Sequence, residues 1–213
     1  MKAKRYFIKG LLILTLANGL SSCSDFLDET NYSSQSADEY FQTKTGYEGL
    51  INGCYSRLRT IYNSKEYISL GHLGTDVCTQ NNTIGLSNLN QYPVNYDANE
   101  GTVYTMWNNL YAALKDVNAA IDRSDKVLLL SDDPDGLADD ILEQRVAEAK
   151  GLRALLLFEI VRNWGQAPLM IHEPLAPVKT AELADGSQFY TQILSDLEDA
   201  IRVLPTRQTG SNY

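Results

Sequence analysis

The feature that most constrains the fold is a long run of apolar residues at helical spacing between positions 137 and 164. Spacings of three and four residues place one side chain per turn on the same face of an α-helix. The members of this stripe are Ile141, Val146, Ala149, Leu152, Leu156 and Ile160. Residues 154–158 are apolar on nearly every side, which is typical of a helix covered by more than one neighbour. Gly165 and Pro168 end the run, so the sequence predicts a helix over 137–164 packed among other helices.

Three further segments have the same spacing, and each predicts another amphipathic helix. The first covers about 45–62, with one apolar face formed by Tyr47, Leu50, Ile51, Cys54, Tyr55, Leu58 and Ile61. The second runs from Met106 through Ile121 and is expected to lie antiparallel to the first, with Trp107 and Tyr111 as core aromatic residues. The last covers about 187–204, with one face formed by Tyr190, Ile193, Leu194, Leu197, Ala200, Ile201 and Leu204. A capping box beginning at Ser36 adds a short helix through Phe41.

The segment between the first two long helices, residues 63–103, follows no period. Gly71, Gly74, Gly85 and Pro93 interrupt it, together with many Asn and Thr residues. We therefore expect irregular structure over the whole segment. A structureless stretch of this length inside a compact domain is unusual and is often functional. With no series of strand patterns elsewhere, the predicted fold class is all-α.

The amino terminus is organised like a secretory signal peptide. A short apolar run, residues 11–16, follows four basic residues: Lys2, Lys4, Arg5 and Lys9. The run is too short to span a bilayer. Residues 20–23, Leu-Ser-Ser-Cys, resemble the lipobox of bacterial lipoproteins, in which the cysteine thiol receives the lipid; an ordinary cleaved signal with a chance cysteine is the alternative. We expect residues 1–22 to be removed, Cys23 to carry acyl chains such as palmitate, and residues 23–36 to form an extended tether.

The charge of the chain argues against a nucleic-acid partner. Lys and Arg number 18 against 27 Asp and Glu, a net charge of −9, and loss of the basic signal peptide would make the mature chain more acidic still. Such a surface repels nucleic acid and anionic lipid headgroups. Two further cysteines remain. A disulfide between Cys54 and Cys78 is permitted in an extracytoplasmic compartment, whereas burial of Cys54 on the apolar stripe is the interpretation that we favour.

The sequence contains no convincing catalytic or metal-binding motif. His72 and His172 are far apart, and neither H-E-x-x-H nor G-x-S-x-G occurs. Residues 131–136 look at first like a calcium loop, but Leu142 then stands at the twelfth position, where a bidentate Glu is needed. A turn before a helix is the simpler interpretation. We therefore expect no enzyme activity, no metal and no cofactor.

Four sequence blocks resemble the N-terminal part of the SusD/RagB family of outer-membrane nutrient-binding lipoproteins. The first is Cys-Ser-Asp-Phe-Leu-Asp at 23–28, and the second is the helical region 36–62. The third is Trp107-x₂-Leu110-Tyr111 with Val117-Asn118 following. The fourth is Glu-Ala-Lys-Gly-Leu-Arg-Ala at 148–154 followed by Phe158-x₄-Asn163-Trp164-Gly165-x₂-Pro168. Residues 187–205 resemble the next family helix, so the resemblance covers nearly the whole chain.

The resemblance implies a scaffold of tetratricopeptide-like helix pairs with long irregular loops that support the ligand site. It also implies outward-facing attachment to the outer membrane and capture of glycans or other nutrients for a TonB-dependent, SusC-like transporter. A helical scaffold that only docks on such a transporter is the alternative function. Family chains are more than twice this length, so residues 37–213 are expected to form a truncated N-terminal α-helical domain. The apolar stripes around 155–158 are then expected to be partly uncovered.

The predicted glycan site lies in the irregular segment, because the corresponding loop of the family contributes to glycan binding. Aromatic rings stack on the C–H groups of sugars, and amides and carboxylates bind hydroxyl groups. Residues 76–104 supply both kinds of side chain: Asp76, Asn81, Asn82, Asn88, Asn90, Tyr92 and Tyr96. A polar surface loop whose tyrosines merely pin it to the helices is the alternative for any one of these residues.

Overall fold

The computed structural model describes residues 36–79, 89–90, 101–177 and 180–206. Over these residues the chain is largely helical, with six α-helices, one short 3₁₀ helix at Ser124–Lys126 and one pair of two-residue antiparallel strands. The elements in chain order are α1 (Ala37–Tyr40), α2 (Lys44–Tyr62), α3 (Lys65–His72), α4 (Gly101–Asp122), α5 (Asp139–Trp164), β1 (Ala167–Pro168), β2 (Leu183–Ala184) and α6 (Gly186–Val203). The predicted all-α class is confirmed.

The long helices pack successively, with α2 on α4, α4 on α5 and α5 on α6, and α2 also contacts α5. Cross-helix contacts give their directions. Trp107 and Asn118 of α4 lie against Trp164 and Arg153 of α5, so these two helices are antiparallel. The α5–α6 pair is antiparallel as well, since Lys150 and Arg153 pair with Asp199 and Asp196. The core lies between these faces and consists mainly of Leu, Ile, Val, Ala and Met side chains.

The first two long helices are antiparallel, as predicted. Glu48 and Tyr62 of α2 contact Arg145 and Glu159 of α5, which makes α2 parallel to α5 and therefore antiparallel to α4. At the start of α2, the Tyr47 hydroxyl donates a hydrogen bond to the carbonyl of Ala120, near the end of α4, at 2.7 Å. The tetratricopeptide-like arrangement of helix pairs follows from these directions.

The boundaries of the long helices agree with the predictions to within a few residues, and side-chain caps mark where α2 and α6 begin. The Thr43 side chain accepts a hydrogen bond from the Gly46 N–H at the start of α2. Asp185 and Gln188 form a reciprocal capping box at the start of α6. Gly165 ends α5 with a φ of 71°, a backbone conformation that glycine adopts without steric cost.

The prediction of irregular structure across residues 63–103 is wrong at both ends. Residues 65–72 form α3, and α4 begins at Gly101, about one turn before the predicted start. Ser64 caps α3 by accepting a hydrogen bond from the Tyr67 N–H, a signal that the sequence contained. Gly71 does not break this helix, since a glycine in a helix costs only about 1 kcal/mol relative to alanine.

The predicted apolar faces are corrected at several positions of α2 and α6. Tyr55 is 46% exposed, although its spacing placed it on the buried face of α2. On α6 the buried stripe is Phe189, Ile193, Asp196 and Ala200, whereas the neighbouring stripe is exposed: Tyr190, Leu194, Leu197 and Ile201. The helical period alone does not show which of the two stripes is buried, because each stripe has one residue per turn. The expected exposure near the end of α5 is found at Leu155 and Phe158, each 37% exposed.

The segment at 131–136 is a turn, as predicted. The Asp133 side chain accepts a hydrogen bond from the Asp135 N–H at 2.8 Å, and Leu129 and Leu137 on either side form a parallel bridge. Gly136 packs directly on the backbone of Leu129, where an added Cβ would lie 2.4 Å from the carbonyl carbon. The turn therefore requires glycine at this position.

The structure also bears on the alternatives for Cys54 and Cys78 and on membrane-spanning helices. Cys54 and Cys78 are both free thiols, and Cys54 is 1% exposed, which supports burial over a disulfide. None of the helices in the described ranges is both long and apolar enough to cross a membrane.

Candidate functional site

Only two of the residues predicted to bind glycan are described by the structure. Asp76 is exposed shortly after the end of α3, and Asn90 is partly buried. Asn81, Asn82, Asn88, Tyr92 and Tyr96 lie outside the described residues, as does the predicted lipid-bearing Cys23. The grouping of these side chains into a site therefore stays a prediction.

The elements on either side of the predicted loop lie at one end of the helical array. The chain leaves α3 at His72 and returns at Gly101, and α3 packs on α4. The carboxyl end of α2, the amino end of α4 and the carboxyl end of α5 meet here, as shown by the contacts Tyr62–Glu159 and Trp107–Trp164. We call this region the aromatic end, defined by Tyr62, Tyr67, Tyr104, Trp107, Tyr111 and Trp164.

A packed cluster of three aromatic rings occupies the aromatic end. The centroids of Trp107 and Tyr111 are 4.6 Å apart with the rings tilted by 37°, and Trp164 lies edge-on to Trp107 at 5.1 Å. The Tyr111 hydroxyl donates a hydrogen bond to the carbonyl of Pro168 in β1 at 2.8 Å, and burial raises the pKa of this phenol above its ordinary value. All three rings are partly buried, so the prediction that Trp107 and Tyr111 pack on the core is confirmed.

Two exposed side chains lie on the solvent side of α4 at the aromatic end. Tyr104 is 58% exposed, and Asn108, one turn further along the same face, is also exposed. Within the described ranges, neither side chain forms a hydrogen bond with another residue. An exposed ring beside a free amide is an arrangement that can bind the C–H face and a hydroxyl group of a sugar.

A buried carboxylate, Glu159, lies at the aromatic end beside Tyr62. Glu159 is 3% exposed, and each of its oxygens accepts a hydrogen bond, one from the Tyr62 hydroxyl at 3.1 Å and one from Arg162. Burial, followed by the charge of Glu159, raises the pKa of Tyr62 above its ordinary value. Because both oxygens are satisfied, Glu159 acts as a structural link between α2 and α5.

A buried ion pair fixes the segment that follows α5. Arg153 donates from Nε and Nη2 to the two oxygens of Asp196 at 2.8 and 2.7 Å, and from Nη1 to the carbonyl of Ile171 at 2.9 Å. Arg153 is 6% exposed and Asp196 is 1% exposed. The Gln192 side chain donates a further hydrogen bond to Asp196 at 3.0 Å. This hydrogen-bond network holds α5, α6 and the segment after α5 in fixed positions relative to one another.

The same segment is also bound to the end of α4. The Asn118 side-chain amide donates to the carbonyls of Met170 and His172, and Asp122 accepts from the Glu173 N–H at 2.7 Å. Arg123 donates to both oxygens of Glu173 and to Asp38 of α1. The strand pair β1–β2 and the 170–173 segment are thus held against the helices by side chains of α4 and α5.

These hydrogen-bond and ion-pair networks were not predicted from the sequence, because they depend on tertiary contacts. The signals that it did contain were Arg153 inside an otherwise apolar helix and Asp196 inside the apolar spacing of the last helix. A charged residue at a core position of one helix requires an opposite charge on a neighbour. Across the described ranges, no three His, Cys, Asp or Glu side chains are grouped as a metal site.

Comparison with known proteins identifies the family. The model of SusD-like proteins, described as starch-binding and associating with the outer membrane, matches residues 25–211. The chain belongs to the SusD-like family. One SusD-like protein of Formosa agariphila is 25% identical over 192 residues, which are 84% of this chain and 34% of the relative. A second from the same organism is 25% identical over 206 residues, 93% of this chain and 37% of the relative.

Solved structures give the same fold. A SusD homologue of Bacteroides thetaiotaomicron is similar with a TM-score of 0.63 and 25% identity over 79% of this chain and 32% of that chain. A laminarin-binding SusD-like protein has a TM-score of 0.61 and 22% identity, covering 77% of this chain and 35% of that chain. The chain thus spans about a third of the length of the relatives that it matches.

Proposed function

We propose that this chain is a lipid-anchored protein of the bacterial outer membrane that binds glycans for import. The observation that carries the proposal is the family match over residues 25–211, a family described as starch-binding and associating with the outer membrane. A solved structure of similar fold is a laminarin-binding SusD-like protein. Both descriptions refer to polysaccharides, which makes a glycan the favoured ligand class.

The proposed domain organisation is a signal peptide at 1–22, a tether at 23–36 carrying lipid on Cys23, and the helical domain at 37–213. The Leu-Ser-Ser-Cys sequence at 20–23 supports the anchor. Two or more acyl chains would hold the protein stably, since each buried CH₂ contributes about 0.8 kcal/mol. The acidic residues Asp25, Asp28 and Glu29 support export to the outer face, because they resemble the surface-export signal of such lipoproteins.

The proposed glycan site is the segment between α3 and α4, with the seven side chains named from the sequence. Its flanking helices support the proposal, because α3 and α4 pack on each other and give the segment a fixed base next to the aromatic end. A double change of Tyr92→Ala with Tyr96→Ala should weaken glycan binding by about 1–3 kcal/mol if the two rings are anchors. Tyr40→Ala, which removes another exposed tyrosine, is the control.

The proposed partner is a TonB-dependent, SusC-like transporter, to which the captured glycan is passed. A helical scaffold that docks on the transporter without binding glycan is the second candidate, and it is favoured by the exposed apolar stripe of α6. Glycan binding separates the two, since a scaffold binds no glycan.

The experiment uses cells that produce either the wild-type chain or a Cys23→Ala variant, exposed to fluorescent starch and laminarin. Wild-type cells should retain at least one fluorescent polysaccharide at their surface. The Cys23→Ala protein should be lost from the membrane fraction, and cells producing it should retain no fluorescent polysaccharide. Retention of the variant in membranes at the wild-type level would disprove the lipid anchor. Unlabelled wild-type cells in which surface proteolysis detects the protein would favour the scaffold.

A further inference from the structure

We propose that the outer face of α4 at the aromatic end is itself a binding surface for a neutral glycan, with Tyr104 as the stacking ring and Asn108 as the hydroxyl-binding amide. This inference rests on the proposed function and names a site on described residues, outside the loop predicted from the sequence. Tyr104 is 58% exposed and Asn108 is exposed one turn away on the same face.

Tyr104 is the exposed aromatic ring of α4. Every other large apolar side chain of α4 is buried or partly buried, whereas Tyr104 presents its ring to solvent with no hydrogen-bond partner for its hydroxyl in the described part of the chain. A tyrosine supplies a large, rigid contact area for little conformational entropy, which makes it an effective anchor when a ligand covers it.

The part of α4 that carries Tyr104 is held in place by the aromatic cluster. Trp107 lies between Tyr104 and Tyr111 along the helix and is fixed by contacts with Tyr111 and Trp164 at 4.6 and 5.1 Å. The Tyr111 hydroxyl is bound to the carbonyl of Pro168, so this part of α4 does not need to rearrange when a ligand binds. A surface that is already ordered loses little entropy when it binds, and this raises affinity for a weakly interacting ligand such as a sugar.

The charges at the aromatic end indicate which ligands this surface favours. Glu159, the buried carboxylate bound by Tyr62, is already paired with Arg162. Tyr104 and Asn108 are neutral, and the chain as a whole has a net charge of −9. This combination disfavours polysaccharides made of uronic acids and favours neutral ones.

The chain carries its own reporter for this surface. Its two tryptophans, Trp107 and Trp164, are in contact with each other inside the aromatic end. A glycan bound over Tyr104 and Asn108 should therefore change tryptophan emission and protect it from acrylamide quenching. Binding confined to a distant surface leaves both signals unchanged.

The experiment titrates the full chain, purified in detergent, with laminarin and with soluble starch while tryptophan emission is recorded. We expect at least one of them to shift the emission and to reduce quenching. Tyr104→Ala with Asn108→Ala should weaken that binding at least about fivefold, because truncating an anchor residue costs more than about 1 kcal/mol. Tyr104→Phe, which keeps the ring, should stay within about twofold of wild type.

Tyr190→Ala on α6 is the matched control, since Tyr190 is similarly exposed on another helix, and it should bind like wild type. Circular dichroism checks that each variant is folded. Glycan binding by the wild type without a change in emission, or with unchanged affinity in the double variant, would overturn this inference and leave the proposed function standing. Absence of binding to any neutral glycan would overturn both.

Discussion

Replacing Asp196 with alanine should destabilise the chain more than any comparable change on α6. The change leaves the Arg153 guanidinium, 6% exposed, without the two carboxylate oxygens that it now binds at 2.8 and 2.7 Å. Removing one partner of a buried ion pair costs about 3–5 kcal/mol, because an uncompensated charge remains in the interior. For a chain of this length, that loss corresponds to a decrease in Tm of roughly 6–20 °C.

The matched control is Asp199→Ala, three residues further along the same helix. Asp199 also pairs with basic side chains, Lys150 and Arg202, but its side chain is 33% exposed. Exposed ion pairs contribute about 0–1 kcal/mol, so this variant should unfold close to wild type. Urea unfolding followed by circular dichroism measures both free energies of unfolding on the same chain.

The effect should also reach the segment after α5. The Arg153 guanidinium donates a hydrogen bond to the carbonyl of Ile171, so loss of Asp196 should speed amide hydrogen exchange near residues 169–173. Similar destabilisation by the two variants would contradict this prediction, because it would mean that burial of the Arg153–Asp196 pair is energetically unimportant. A double change of Arg153→Met with Asp196→Leu should recover much of the loss.

Three further predictions test other parts of the structure. Gly136→Ala should destabilise the folded chain by more than 1 kcal/mol, because the added Cβ would collide with the backbone of Leu129. Gly53→Ala lies on an open helical surface and should stabilise the chain by about 0.5–1 kcal/mol. Urea unfolding measures both changes in the free energy of unfolding. Burial raises the pKa of the Cys54 thiol from 9.0 to about 12. The contribution of the thiol to stability is therefore complete below pH 9 and falls by about 1.4 kcal/mol per pH unit between pH 9 and about 12, and Cys54→Ala should remove that part of the alkaline slope in urea unfolding. Wild-type chain should bind a hydrophobic dye at the exposed stripe of α6, and Leu194→Ser with Ile201→Ser should reduce the dye fluorescence; an unchanged signal would contradict this assignment.

The long helices could be predicted from sequence because their buried faces repeat at the helical period. The stripe from Ile141 to Ile160 and the stop at Gly165 both correspond to the observed α5. The short helix α3 was missed because eight residues offer too few turns for a period to be recognised, and Gly71 obscured it. Its cap at Ser64 was the more reliable signal.

The choice between faces could not be made from one helix alone. On α6, Ile193 and Leu194 are equally apolar in sequence, yet only Ile193 faces α5. The position of Asp196 decides this, since its burial requires Arg153 on the opposite helix. Similarly, the contact between Trp107 and Trp164 joins residues far apart in the chain, and only packing of α4 on α5 brings them together.

Glycan binding is tested most directly by the migration of the purified full chain in native gels containing neutral polysaccharides, among them starch and laminarin. We expect at least one polysaccharide to retard the wild-type chain and the Tyr104→Ala, Asn108→Ala double variant to be retarded less. An anionic polysaccharide such as polygalacturonate should have no such effect. Migration unchanged by every polysaccharide would contradict the claim that this SusD-like chain binds glycans.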